Sequence, residues 1–211
     1  MKNNHNHIYI CGIGPGHPDY IAPIVYKKVE NADILIGGSR HLEIFSDYKK
    51  NCFVFTGSLS ALKDKMESLQ NKTIVVLVSG DTGFYSLRRY IQSALPDAAI
   101  DLIPGLSSYQ YLYAKVGLGY ENALKASLHG KELDFLQAVE TYESVFLLTD
   151  KKQNWKWIAE QLVNAGYGDY NYHIGIHLSY PDEKIISITA KEALQLDEDY
   201  DLSCVIIERN K

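Results

Sequence analysis

The chain has 211 residues, 46% of them hydrophobic, with a formal net charge of −5; this is enough apolar material for one large core or two small ones, and too acidic for broad electrostatic binding to nucleic acid. No run approaches the roughly 18 apolar residues of a membrane span, and the polar N-terminus, MKNNHNH, has no apolar signal core. Cys11, Cys52 and Cys204 are odd in number and far apart, each in or beside an apolar run, which predicts buried thiols in a reducing, cytoplasmic compartment and no disulfide framework.

Residues 1–6 read as a frayed tail. A strand over 7–11 runs into the spaced glycines Gly12, Gly14 and Gly16. A helix is predicted over 19–31, with Asp19 placed to cap it and Pro23 close enough to the first turn to be tolerated. A short strand over 34–36 ends at Gly37-Gly38, a short helix follows over 39–45, and a third strand lies at 52–55. Ser58 can cap a helix with Leu59, Leu62, Met66 and Leu69 on one face. Residues 73–78, TIVVLV, have the length and β-branching of a strand buried on both faces. They stop at Ser79-Gly80-Asp81-Thr82-Gly83, where two glycines bracket an acid, and an amphipathic helix is predicted over 84–95. A fifth strand over 99–103 leads to Pro104-Gly105 and then Ser107-Ser108, followed by a helix that ends near Val116. The turn Gly117–Tyr120 marks the expected boundary between domains 1–117 and 118–211.

The alternation before that turn predicts an α/β domain with a parallel sheet and helices on both faces. The second part reads as a smaller mixed α/β domain. It has strands over 144–149, 172–177, 184–189 and 203–208, and a helix over 155–165 with Gly166 as its C-cap. The turn sequence Ser179-Tyr180-Pro181-Asp182 suggests that 172–177 and 184–189 pair antiparallel.

Three strands therefore run into glycine loops, and in an open α/β sheet ligands sit beyond the carboxyl ends of the strands. The expectation is that the three loops share one edge and enclose one ligand. They do not fit the common nucleotide fingerprints. Gly12 and Gly14 begin G-x-G-x-x-G, but His17 stands at the third glycine and no acid ends the second strand. No G-x-x-x-x-G-K-[ST] occurs, and Ile10 stands where the commonest methyltransferase fold has an acid.

The motifs Gly12-Ile13-Gly14-Pro15-Gly16, Ser79-Gly80-Asp81-Thr82-Gly83-Phe84-Tyr85-Ser86 and Pro104-Gly105-Leu106-Ser107-Ser108, then AKVGLGYENA at 114–123, SLHG at 127–130, Leu148-Thr149-Asp150 and LSYPDE at 178–183, span almost the whole chain. In this order they resemble the tetrapyrrole (corrin/porphyrin) methylase family. SLHG and LSYPDE are particular to its branch that methylates C5 of cobalt-precorrin-7 in cobalamin biosynthesis. Thr82 stands where the family usually has proline, and Lys131 where arginine often follows SLHG.

The resemblance implies the two-domain fold of that family, and S-adenosylmethionine as methyl donor, bound between the domains. It implies donor contacts at Gly80, Asp81, Gly83, Phe84, Ser107, Ser108, Leu148 and Thr149, and a tetrapyrrole trough floored by Gly14, Pro15 and Gly16. It also implies a homodimer or higher homo-oligomer and a separate C15-methyltransferase as a possible partner. Arg40 and Lys131, with Arg88 and Lys125 behind them, are candidates for the carboxylates of the macrocycle. Asp81 and His129 are candidates for a base by location alone. Other readings are methylation at another tetrapyrrole position, or a non-catalytic subunit that holds donor or pigment.

The histidine pairs His5 and His7, and His173 and His177, share faces of strands, but no acid or cysteine completes a metal ligand set at the usual spacing. Trp155 and Trp157 flank a helix start and suit a core or an interface. Tyr109, Tyr111 and Tyr113 suit either an interdomain cleft or a dimer surface.

Overall fold

The structure, a computed structural model, describes residues 6–128, 133–197 and 200–209. The chain divides into two compact units, Met1–Ser107 and Ser108–Lys211.

The first unit is a sheet of β1 (His7–Gly12), β2 (Ile34–Gly37), β3 (Asn51–Val54), β4 (Thr73–Val78) and β5 (Ala99–Ile103), in the order β3-β2-β4-β1-β5. Every pairing is parallel, so all the carboxyl ends lie on one edge. Side chains alternate across the pleat. Ile8, Ile10, Ile34, Ile36, Ile74, Val76 and Val78 form one core with Leu62 and Met66 of α3 (Leu59–Ser68) and Ile91 of α4 (Arg88–Ala94). Cys11, Leu35, Val75 and Leu77 form another with Val25 and Val29 of α1 (Pro23–Glu30) and Leu42 of α2 (Ser39–Glu43). A sheet covered on both faces is why its central strands read as unbroken apolar runs. Ser58 caps α3 as expected, its Oγ accepting from Ala61 N at 3.3 Å.

Several boundaries differ from the sequence reading. The helix expected from Asp19 starts at Pro23, whose missing N–H suits the first helical position. Before it lies a single 3₁₀ turn, Pro18–Tyr20, capped by His17 Nδ1, which accepts from Asp19 N. The helix expected from Phe84 starts only at Arg88, because Tyr85 has a left-handed φ of 47° and Ser86 Oγ donates to Thr82 O at 2.5 Å. Asn6, assigned to the frayed tail, is buried and ties β1 to its neighbours: its amide donates to Leu69 O and accepts from Lys72 N. Residues 1–5, His5 among them, lie outside the described residues. Cys11 and Cys204 are buried, but Cys52 is exposed, because β3 is an edge strand.

The second unit begins with α5 (Ser108–Val116) and contains a second sheet. Its strands are β6 (Ala123–Ser127), β7 (Ser144–Leu148), β8 (Asn171–Ile176), β9 (Lys184–Thr189) and β10 (Ser203–Glu208), in the order β6-β7-β10-β8-β9. β6 and β7 are parallel, and the other pairs, including β8 with β9, are antiparallel. β6 and α6 (Phe135–Thr141) were not anticipated. The core gathers around fully buried Trp155 of α7 (Trp155–Asn164), with Tyr172, Phe135, Val145, Ile158 and Val205, and takes in α8 (Ala190–Ala193). Gly166, at φ 89°, follows the last turn of α7, and the next N–H, that of Tyr167, closes on Leu162 O at 2.8 Å.

The division comes before α5 instead of at the Gly117–Tyr120 turn, for a physical reason. Leu112 of α5 fits against Gly175 of β8, where a Cβ would come 3.0 Å from the leucine side chain. Buried Tyr113 holds Ser144 of β7 through a 2.7 Å hydroxyl pair, and burial pushes its phenol up to about 12. Tyr111 and Tyr113 are both buried.

Candidate active site

The three glycine loops of the first unit meet at its carboxyl edge. Gly14 and Gly80 form a two-way bridge, with Gly14 N donating to Gly80 O at 3.2 Å and Gly80 N to Gly14 O at 2.8 Å. Both have positive φ, 76° and 63°, which glycine adopts without strain. Gly12 and Gly105 bring the main chains closer still. A Cβ on Gly12 would stand 2.6 Å from Gly80 O and 2.7 Å from Gly105 N, and one on Gly105 would stand 2.3 Å from Gly80 O.

Asp81 joins the remaining ends. Its Oδ1 accepts from Gly83 N at 2.7 Å and its Oδ2 from Gly105 N at 3.1 Å. Backbone N–H groups held by a carboxylate make strong, directional bonds, so the loops after β1, β4 and β5 form one rigid lip. Thr82 and Ser107 are buried in it, Gly83 is exposed, and Phe84 is half-buried against Tyr85, with ring centroids 4.8 Å apart. Gly14 and Gly16 are buried and flank half-buried Pro15. Across 12–16, 79–83 and 104–108 there is one carboxylate and no lysine or arginine. The lip offers main-chain groups, hydroxyls and a negative charge.

Ser108, Leu148 and Thr149 belong to the second unit. Thr149 Oγ1 donates to Ser203 O at 2.6 Å, and Leu148 O accepts from Leu128 N. The Lys125 ammonium donates to Tyr120 O at 2.9 Å and sits over the Tyr120 ring. Arg40 is exposed on α2, and Arg88 opens α4. His129 and Lys131 lie outside the described residues. His173 is paired with Ser187 and Glu208, and His177 with Asp182. Among the described residues no cluster of His, Cys, Asp and Glu could hold a metal ion.

One residue at this edge was missed. His41, on α2 just beyond β2, places Nε2 2.7 Å from Ser79 Oγ, at the end of β4. Burial, then the Arg40 charge, lowers its pKa below the usual 6.5, and the Leu77 backbone partly opposes this. Nδ1 is buried without a bond of good geometry, so the Leu77 interaction is weak. The signal was present as His41 four residues after Gly37, but it gains meaning only when β2 and β4 are known to be neighbours.

The sequence profile of the family described as Tetrapyrrole (Corrin/Porphyrin) Methylases matches residues 7–194. The chain belongs to this family. Among its relatives, the methylase is 34% identical over 206 residues to a probable cobalt-precorrin-7 C(5)-methyltransferase of Methanocaldococcus jannaschii, covering 94% of this chain and 96% of that one. It is 30% identical over 200 residues to the cobalt-precorrin-7 C(5)-methyltransferase of Salmonella typhimurium, with the same coverage. Its fold matches the uroporphyrin-III C-methyltransferase of Thermus thermophilus in complex with S-adenosylhomocysteine. The TM-score is 0.77, with 16% identity, 96% of this chain and 92% of that one covered. No helix among the described residues of the methylase is long and apolar enough to cross a membrane.

Proposed function

We propose that this methylase transfers a methyl group to C5 of cobalt-precorrin-7, with S-adenosylmethionine as donor. The observation that carries the reading is the identity, along almost the full length, with two relatives named for that reaction. The lip supports the donor. A sulfonium is a cation, and the loops that would meet it carry one carboxylate and no basic side chain. Gly80, Asp81, Gly83, Phe84 and Ser107 form the first unit's share of the donor site. Gly14, Pro15 and Gly16 give a low-profile floor on which a flat macrocycle can lie, and Arg40, exposed on α2, is the candidate for its carboxylates.

When bound, the donor supplies an electrophilic methyl and leaves as a neutral thioether that keeps the S–C electron pair. The protein's task is to hold donor and acceptor carbon in line, which can contribute on the order of 7–11 kcal/mol to the barrier reduction in well-oriented systems. Asp81 serves this task as a brace. Both of its oxygens are engaged by N–H groups, so it fixes the lip and is poorly placed to act as a base. A homo-oligomer and a separate enzyme for C15 accompany this reading.

Incubation with S-adenosylmethionine and cobalt-precorrin-7, with the new methyl located by mass and NMR, tests it. One methyl at C5 is the expected product. A methyl at C15 or C11 overturns the regiochemistry. No product, together with no heat of binding for S-adenosylhomocysteine, leaves neither enzyme nor donor-binding subunit.

A further inference from the structure

Methylation of a meso carbon is a substitution. The C–CH₃ bond forms, and the hydrogen already on that carbon leaves as a proton, its C–H pair returning to the conjugated ring. The protein needs somewhere to put that proton. Among the described residues near the glycine lip, each Asp81 oxygen already accepts from an N–H group and His17 Nδ1 accepts from Asp19 N.

His41 and Ser79 are arranged differently. Ser79 is exposed at the carboxyl edge, two residues before Asp81, and its Oγ lies 2.7 Å from His41 Nε2. The ring is anchored rather than mobile. It rises from α2, which packs on β2 through buried Leu42, and its Nδ1 faces the interior beside the Gly38 main chain, where a Cβ would come 3.7 Å from it. With the ring proton on that buried Nδ1, the Nε2 lone pair faces the serine hydroxyl.

We propose that Ser79 and His41 form the proton exit of this methylase. The Ser79 hydroxyl takes the proton from the methylated carbon as it gives its own to His41 Nε2, and the imidazolium later releases a proton to solvent. No charge is created beyond that one proton. The assignment rests on the methyltransferase reading above. His41 acts through Ser79, so it is a positioning residue and proton acceptor. The groups that act on its charge are the Arg40 guanidinium and the Leu77 backbone, on α2 and β4.

The ring can be titrated by NMR in the protein without donor or substrate, and the assignment expects its transition below the ordinary imidazole value. Turnover of the wild type should then fall as pH drops through that transition. His41→Asn should lower turnover on the order of 10²-fold, abolish the acid limb and leave S-adenosylhomocysteine affinity within about twofold. Imidazole added to His41→Ala should restore part of the rate. If His41→Asn unfolds, Ser79→Ala, at an exposed position, carries the test with the same expected fall. A wild type that methylates C5 beside His41→Asn or Ser79→Ala variants of unchanged rate and pH profile overturns the assignment alone. A wild type that adds no methyl at C5 overturns the parent reading, and the assignment with it.

Discussion

Four glycines and one aspartate decide the shape of the lip, and their intolerance of change follows from distance. The hypothetical Cβ at Gly12 meets main-chain atoms of Gly80 and Gly105 on two sides, and backbone cannot rotate away as a side chain can. Gly12→Ala is therefore expected to destabilise the first unit by about 1–3 kcal/mol and to weaken S-adenosylhomocysteine binding, both measurable on one purified variant by urea melts and calorimetry. An unchanged melt would mean that the loops are less tightly joined than the 2.6 Å approach implies. The acid bracketed by two glycines at the end of a strand was visible in the sequence. What Asp81 does there was not, because Gly105, one of its two partners, lies on another loop. His41 was less legible still. Its partner is 38 residues away, and only the strand order places α2 beside the end of β4.

Strands were easier to read than helix starts. β-branched or apolar runs mark β1, β4 and β10 within a residue, since a largely buried strand has few alternative compositions, and the half-exposed edge strand β9 was read with the same bounds. Helix periodicity overran its true starts at Pro23 and Arg88, where a ring without an N–H and a left-handed tyrosine reset the chain. β6, ALKAS, escaped because its alternation is weak and it leans on β7 for its pairing. The turn after β8 was legible as a turn but not as a charged lock. Ser179 has a left-handed φ of 68° there, and Glu183 holds it by accepting from Ser179 N at 2.5 Å while pairing with Lys115 at 3.3 Å. Burial alone would raise the Glu183 carboxyl. Ser179, Tyr111 and Lys115 together outweigh it and bring the pKa below the usual 4.5. A carboxyl depressed in the folded state contributes stability that is present above its unfolded pKa and is lost as pH falls through the folded one. Glu183→Gln should accordingly melt below the wild type at pH 7, and the gap should narrow as pH drops below 4.5. A gap that stays constant with pH would remove the ionic part of the lock.

At the scale of the molecule, each unit has its own core: two layers on either side of the first sheet, and one cluster around Trp155 in the second. Both tryptophans of the chain, Trp155 and Trp157, lie on α7. Residues 108–211 expressed alone should therefore fold and show a cooperative loss of native tryptophan emission in urea. A broad, featureless transition would mean that this unit depends on the first for its fold. The edge strand β3 adds a practical consequence. Burial pushes the Cys11 thiol up to about 12 and drives that of Cys204 higher, whereas Cys52 is exposed. A maleimide dye will thus mark a single position on the first unit without any engineering. With the indoles confined to the second, the natural sequence labelled at Cys52 has a donor on one unit and an acceptor on the other, a ruler for watching the two halves respond to a ligand.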